Sequence, residues 1–206
     1  VAGILLTACR QDTIDRTLAD ADALMEQNAD SAYALLQQIP DAAGRADEAT
    51  RARYTLLLTQ AAYKLYRPVP SDTLIRSAVG YYEQAANRAM LCRAYYYHAM
   101  TLYERGRHDE ALLLLKKGEH LTRDLNDLLQ LSKYYESLCM VNDRSHNYDL
   151  MQKYAKLFLD NAFQLNDSIL IARGYNHMST ALVRLGFTEN SKESILQSLP
   201  YLQRMD

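Results

Sequence analysis

The chain has 206 residues, 49% of them apolar, so it carries material for a sizeable core. Its 23 Lys and Arg against 25 Asp and Glu leave a formal charge of −2, and the cations are scattered, which excludes the basic footprint that nucleic-acid binding needs. Gly (7) and Pro (4) are scarce, as helices prefer, and 16 Tyr against 3 Phe and no Trp suit half-buried positions with the ring packed and the hydroxyl wet.

The first nine residues, Val1 to Cys9, form an apolar run ending in a small residue and a cysteine. Residues 1–8 are kept apart from the fold, and no other run is long and apolar enough to cross a bilayer. Residues 12–27 then read as an amphipathic helix with Ile14, Leu18, Ala21, Leu24 and Met25 on one side. Asp30-Ser31 caps a short second helix through Ala32, Leu35, Leu36 and Ile39, which Pro40 and Gly44 end. A third helix runs from about Arg45 to Leu65. Arg67-Pro68-Val69-Pro70 breaks the chain, since neither proline fits inside a helix. Ser71 or Asp72 caps the next helix, which carries Leu74, Ile75, Ala78, Tyr81 and Tyr82.

From there the chain echoes itself. Asn87, Asp127 and Asp167 are N-cap residue types spaced forty apart. Leu91, Leu131 and Ile171 follow four residues after each cap, and Tyr95, Tyr135 and Tyr175 eight after. Turns centre on Gly106, His146 and Gly186, and partner helices begin near Asp109, Tyr148 and Thr188. Ala111, Met151 and Ser191 share a phase, as do Leu115, Ala155 and Ile195, and Gly118, Phe158 and Ser198. Such self-similarity means stacked units with one continuous core: an all-α chain of five helix pairs, or ten helices, degenerate over 10–86 and regular over 87–206.

Tyr95, Ala99, Gly106 to Ala111, Leu115 and Gly118 resemble a tetratricopeptide repeat. Ser179, Ser191 and Ser198 keep the small positions of that pattern, while the middle unit departs from it with Met151 and Phe158. The family's usual period is shorter, so each helix here gains roughly one turn. The resemblance implies a right-handed α-solenoid in which the first helix of each pair lines a groove. By this register the groove carries Arg93, Tyr96, Met100 and Tyr103, then Lys133, Glu136, Met140 and Asp143, then Arg173, Asn176, Thr180 and Arg184. Arg93, Lys133 and Arg173 stand forty apart. Two readings are open for them: a basic ladder for an extended peptide with acidic groups, or solvated side-chain ends unconnected with binding.

Leu6-Thr7-Ala8-Cys9 resembles the lipobox of bacterial lipoproteins, which implies lipidation at Cys9 and a place in the cell envelope, at the periplasm or outer membrane. The other reading, an apolar first turn of the first helix, fits a cytoplasmic peptide-pheromone receptor. The block order, with Asp30 to Leu36 and Tyr54 to Gln60 ahead of the repeats, also resembles bacterial lipoproteins that continue into a regulatory domain, which implies a sensor segment. The last helix offers Ile195, Leu199 and Leu202 to a neighbour, whether a continuation of the chain or another chain, a second copy included.

Catalytic patterns are missing: there is no phosphate-cradling glycine loop, no HExxH and no GxSxG. His98, His108, His120, His146 and His177 are scattered, with His98 expected to be partly buried and His177 beside the groove. Asp109-Glu110 serves a helix start, and Lys116-Lys117 reads as a solvated face. Cys92 and Cys139 read as buried free thiols. The expectation is a non-enzymatic protein- or peptide-binding module with no cofactor and no metal.

Overall fold

The computed structural model of the chain describes residues 2–69 and 72–203, and side chains from residue 11 onward. Eleven helices follow one another, with no strand among the described residues: α1 (Ala2–Leu24), α2 (Ala29–Leu36), α3 (Pro40–Gly44), α4 (Glu48–Lys64), α5 (Asp72–Gln84), α6 (Arg88–Glu104), α7 (His108–Leu125), α8 (Leu128–Arg144), α9 (Tyr148–Leu165), α10 (Ser168–Arg184) and α11 (Thr188–Leu202). They form two compact units, Val1–Thr101 and Leu102–Asp206.

The caps carry the register. The Asn87 side chain accepts from the Met90 amide at 3.2 Å, Asp127 from Gln130 at 2.9 Å, and Asp167 from Ile169 and Leu170 at 2.9 and 3.0 Å. Each satisfies donors that the first turn leaves open. The other helix ends are equally regular. Left-handed residues recur every twenty positions: Tyr66, Ala86, Gly106, Asn126, His146, Asn166 and Gly186. After six of these seven, all but Asn126, the next amide (Arg67, Asn87, Arg107, Asn147, Asp167, Phe187) donates to the carbonyl five residues back, the bond that closes a helix end. Gly106 and Gly186 take this conformation without cost to a side chain, with φ of 74° and 87°.

The first unit departs from the sequence expectation in four places. The backbone is helical from Ala2 rather than from residue 12. Asn28, not Asp30, caps α2 by accepting from the Ser31 amide at 3.0 Å. Pro40 does not end α2 but opens α3, because a missing N–H costs nothing in a first turn; this extra short helix makes eleven instead of ten. Asp47 caps α4 by accepting from Thr50 at 2.7 Å, so α4 starts three residues past Arg45. Ser71, the other cap expected for α5, and Pro70 lie outside the described residues.

The core of the first unit joins Ile14, Leu18, Ala21 and Met25 of α1 to Ala32 and Leu36 of α2, and to Leu57 and Ala61 of α4. In the second unit α8 packs against α7 and α9, α10 against α9 and α11, and α8 against α10. Leu159, Ala162 and Ile171 form a buried nucleus there, with Leu170, Tyr175, Met178 and Tyr201 around it. The middle repeat absorbs its large Phe158 by compensation. Gly118 on α7 lies against the fully buried Tyr134 of α8, whose phenol a Cβ at 118 would overlap. One period on, Phe158 is the large residue, and the position equivalent to Tyr134 is Gly174, where a Cβ would come within 2.7 Å of Leu159 and 3.3 Å of Phe158.

Candidate functional site

In the second unit the first helices of successive pairs lie side by side, which puts equivalent residues of α8 and α10 next to one another. The exposed seam between them is polar. Arg173 forms an ion pair with Glu136, and Nε2 of His177 lies 3.4 Å from the same carboxylate. Arg184 Nε donates to Asp143 at 3.1 Å. Arg144 Nε donates to the Tyr103 hydroxyl at 3.3 Å. The Tyr103–Arg144, Glu136–His177 and Asp143–Arg184 contacts each span 41 residues, one period plus one. A position on one first helix therefore meets the next position on its neighbour.

The remaining residues expected here sit as follows. Lys133 and Met140 are half-buried, and Asn176 is exposed. Thr180 donates its hydroxyl to the Asn176 carbonyl of its own helix at 2.9 Å. His177 is half-buried with its ring 6.0 Å from that of Phe158. The repeat register does not single out Arg144, although it does single out Asp143 beside it.

The first-unit residues differ. Met100 is 1% exposed and Tyr96 6%, so neither lines a surface. Tyr96 packs edge-on against Tyr63 and Tyr97, with centroids 6.3 and 5.0 Å apart, a favoured aromatic geometry. Arg93 is committed inside the unit: its Nη2 donates to Asp22 at 2.8 Å and to Gln60 at 2.7 Å. Glu26 and Lys64 pair beside it at 2.8 Å. Arg93 thus ties α6 to α1 and α4, and each of Arg93 and Arg173 already faces a carboxylate. Two of the three cations of the expected basic ladder, Arg93 and Arg173, are therefore ion-paired.

Two polar features escape the sequence pattern. Glu119 is 2% exposed, yet it is held by Lys116 and Arg123 of its own helix, and Lys116 also donates to the Tyr154 hydroxyl at 2.7 Å. Spacings of three and four on α7 were the available signal. Lys116 and Lys117 are both exposed, as a solvated face requires, and Lys116 pairs with Glu119 from that surface. Cys92 and Cys139 are buried free thiols, and burial pushes the Cys139 thiol well above its ordinary value. His98 is buried. Among the described residues no group of three or more His, Cys, Asp or Glu could hold a metal ion, and no helix is long and apolar enough to cross a membrane. The side chain of Cys9 lies outside the described residues.

Paired helices with repeat-related contacts between first helices define a tetratricopeptide-type fold, and solved structures bear this out. The chain is similar to the kinesin light chain TPR-like repeats of Podosopora anserina, with a TM-score of 0.69 at 13% identity over 94% of this chain and 96% of that one. It is similar to BtubC (BKLC) from P. vanneervenii, with a TM-score of 0.66 at 12% identity over 96% and 90%. It is also similar to MamA, with a TM-score of 0.61 at 14% identity over 94% of each chain. No family model and no curated protein matches the sequence.

Proposed function

We propose that the chain is a non-enzymatic protein- and peptide-binding module that uses the α8–α10 seam, and that a lipid on Cys9 holds it in the cell envelope. One observation carries the binding reading: Arg173 and Arg184 are exposed at the seam and anchored to Glu136 and Asp143, while Arg144 of α8 is exposed and anchored to Tyr103 of α6. A guanidinium has five donors, so an arginine fixed by one edge is preorganised to take a carboxylate with another. An extended acidic peptide fits such a row, with half-buried Met140 as adaptable apolar contact. Titration with a labelled oligopeptide of alternating Glu and Leu tests it. Binding should weaken as salt rises and be lost in an Arg173→Glu, Arg184→Glu variant that melts like the parent. Equal binding by parent and variant would refute the seam.

Anchoring rests on Leu6-Thr7-Ala8-Cys9. Mass spectrometry of native protein should find a diacylglyceryl or triacyl group on Cys9. An unmodified Cys9 in a cytoplasmic fraction would refute the anchor.

A further inference from the structure

Two arginines of the second unit are held alike, one period apart. Arg144 Nε donates to the Tyr103 hydroxyl at 3.3 Å, and Arg184 Nε donates to Asp143 at 3.1 Å. Donor and acceptor each advance by forty residues from the first contact to the second. Both arginines are exposed. Both anchors use Nε, so these bonds leave the Nη1–Nη2 edge of each guanidinium to take a carboxylate. An aromatic ring accompanies each arginine at a further pair of equivalent positions. The His108 ring lies 5.1 Å from that of Tyr103, and the Tyr148 ring lies 6.0 Å from Arg184 Cζ. His108 and Tyr148 are both half-buried. One period before Arg144 stands Glu104, so the row of cations stops at two.

The spacing selects the backbone of the occupant. Neighbouring packed helices stand about 8–10 Å apart, which sets the step from Arg144 to Arg184. A polyproline II segment has three residues per turn and rises about 3.1 Å per residue, so every third side chain returns to one face at about 9 Å. A β-strand returns a side chain to one face every second residue, at about 7 Å, and the following one at about 13 Å, so it misses that step on both sides. The face is also built of helices, whose amides bond within the helix. A strand finds no backbone partner there, whereas polyproline II keeps its backbone solvated and docks on aromatic rings. We infer that the partner is a polyproline II segment with two acidic residues three positions apart, taken by Arg144 and Arg184, and with prolines between them against the rings of His108 and Tyr148. The inference rests on the peptide-binding reading above and narrows its ligand.

The probes are fluorescein-labelled peptides of equal composition, titrated into the full chain: Pro-Pro-Glu-Pro-Pro-Glu-Pro-Pro and its isomers with the two glutamates adjacent or two apart. The three-apart peptide should bind more than about tenfold more tightly than either isomer, a preference worth one charge-assisted contact. Arg144→Gln and Arg184→Gln should each erase that preference while melting like the parent in circular dichroism, since both side chains are exposed. Equal binding of the isomers, or a preference that survives both substitutions, overturns the inference. So does tighter binding of the alternating Glu and Leu peptide, which marks a strand as the occupant and leaves the broader reading standing. No binding by any of these peptides overturns both.

Discussion

The α7–α8 and α9–α10 interfaces stand one period apart and fill the same space in opposite ways. The first sets Gly118 against Tyr134, and the second sets Phe158 where Gly174 is small. The next position along repeats the lesson in charge. Glu119 is buried with Lys116 and Arg123 around it, while its equivalent Leu159 sits in an apolar nucleus. What recurs from repeat to repeat is therefore the volume and the satisfaction of each contact, rather than the residue at each position. Interiors are close-packed, so a change on one side is tolerated only with its complement.

Swapping the first interface into the form of the second is the strongest way to break this comparison. Gly118→Phe or Tyr134→Gly alone should each cost about 3 kcal/mol or more, by overpacking or by a cavity. The double variant copies the Phe158/Gly174 arrangement and should recover much of the loss, a coupling of more than about 2 kcal/mol in chemical denaturation. Additive losses would mean the two residues do not compensate. A smaller effect sharpens the charge contrast. Glu119→Ala removes the partner of two cations and should cost about 1–3 kcal/mol. Glu119→Leu imitates Leu159 and should stay within about 1 kcal/mol of the parent, since a buried ion pair replaced by a packed apolar side chain is often neutral. Equal losses in thermal melts would show that the carboxylate itself is needed. The smallest expected effect lies at the turns. His146 holds φ of 59° where the neighbouring repeats have Gly106 and Gly186, so His146→Gly should gain about 0.5–1 kcal/mol by relieving a left-handed side chain.

The sequence carried the fold to the extent that local chemistry wrote it. Caps at Asn87, Asp127 and Asp167 and turns at Gly106, His146 and Gly186 announce helix ends directly. Ala86 and Tyr66 do not, because nothing about alanine or tyrosine asks for a left-handed backbone. Pro40 reads as a stop in sequence because a proline ends one helix and starts another with the same missing N–H. The candidate seam was legible in position but not in charge state. Spacing placed Lys133, Glu136, Asp143, Arg173 and Arg184 on the first helices, yet the pairing of Arg93 with Asp22 crosses 71 residues of chain and leaves no trace in a period of forty. Tyr96 and Met100 share the spacing of exposed groove residues, but an aromatic cluster around Tyr63 and Tyr97 encloses Tyr96.

Excision of residues 127–166 tests register and compensation together. It removes one full period, joins Asn126 to Asp167, and brings Gly118 opposite Gly174. The shortened chain should remain helical and melt cooperatively but weakly, and adding Gly174→Tyr should raise its stability by about 2 kcal/mol or more by filling the void between the two glycines. Loss of cooperative melting in both shortened chains, or a tyrosine that destabilises, would contradict the stacked register.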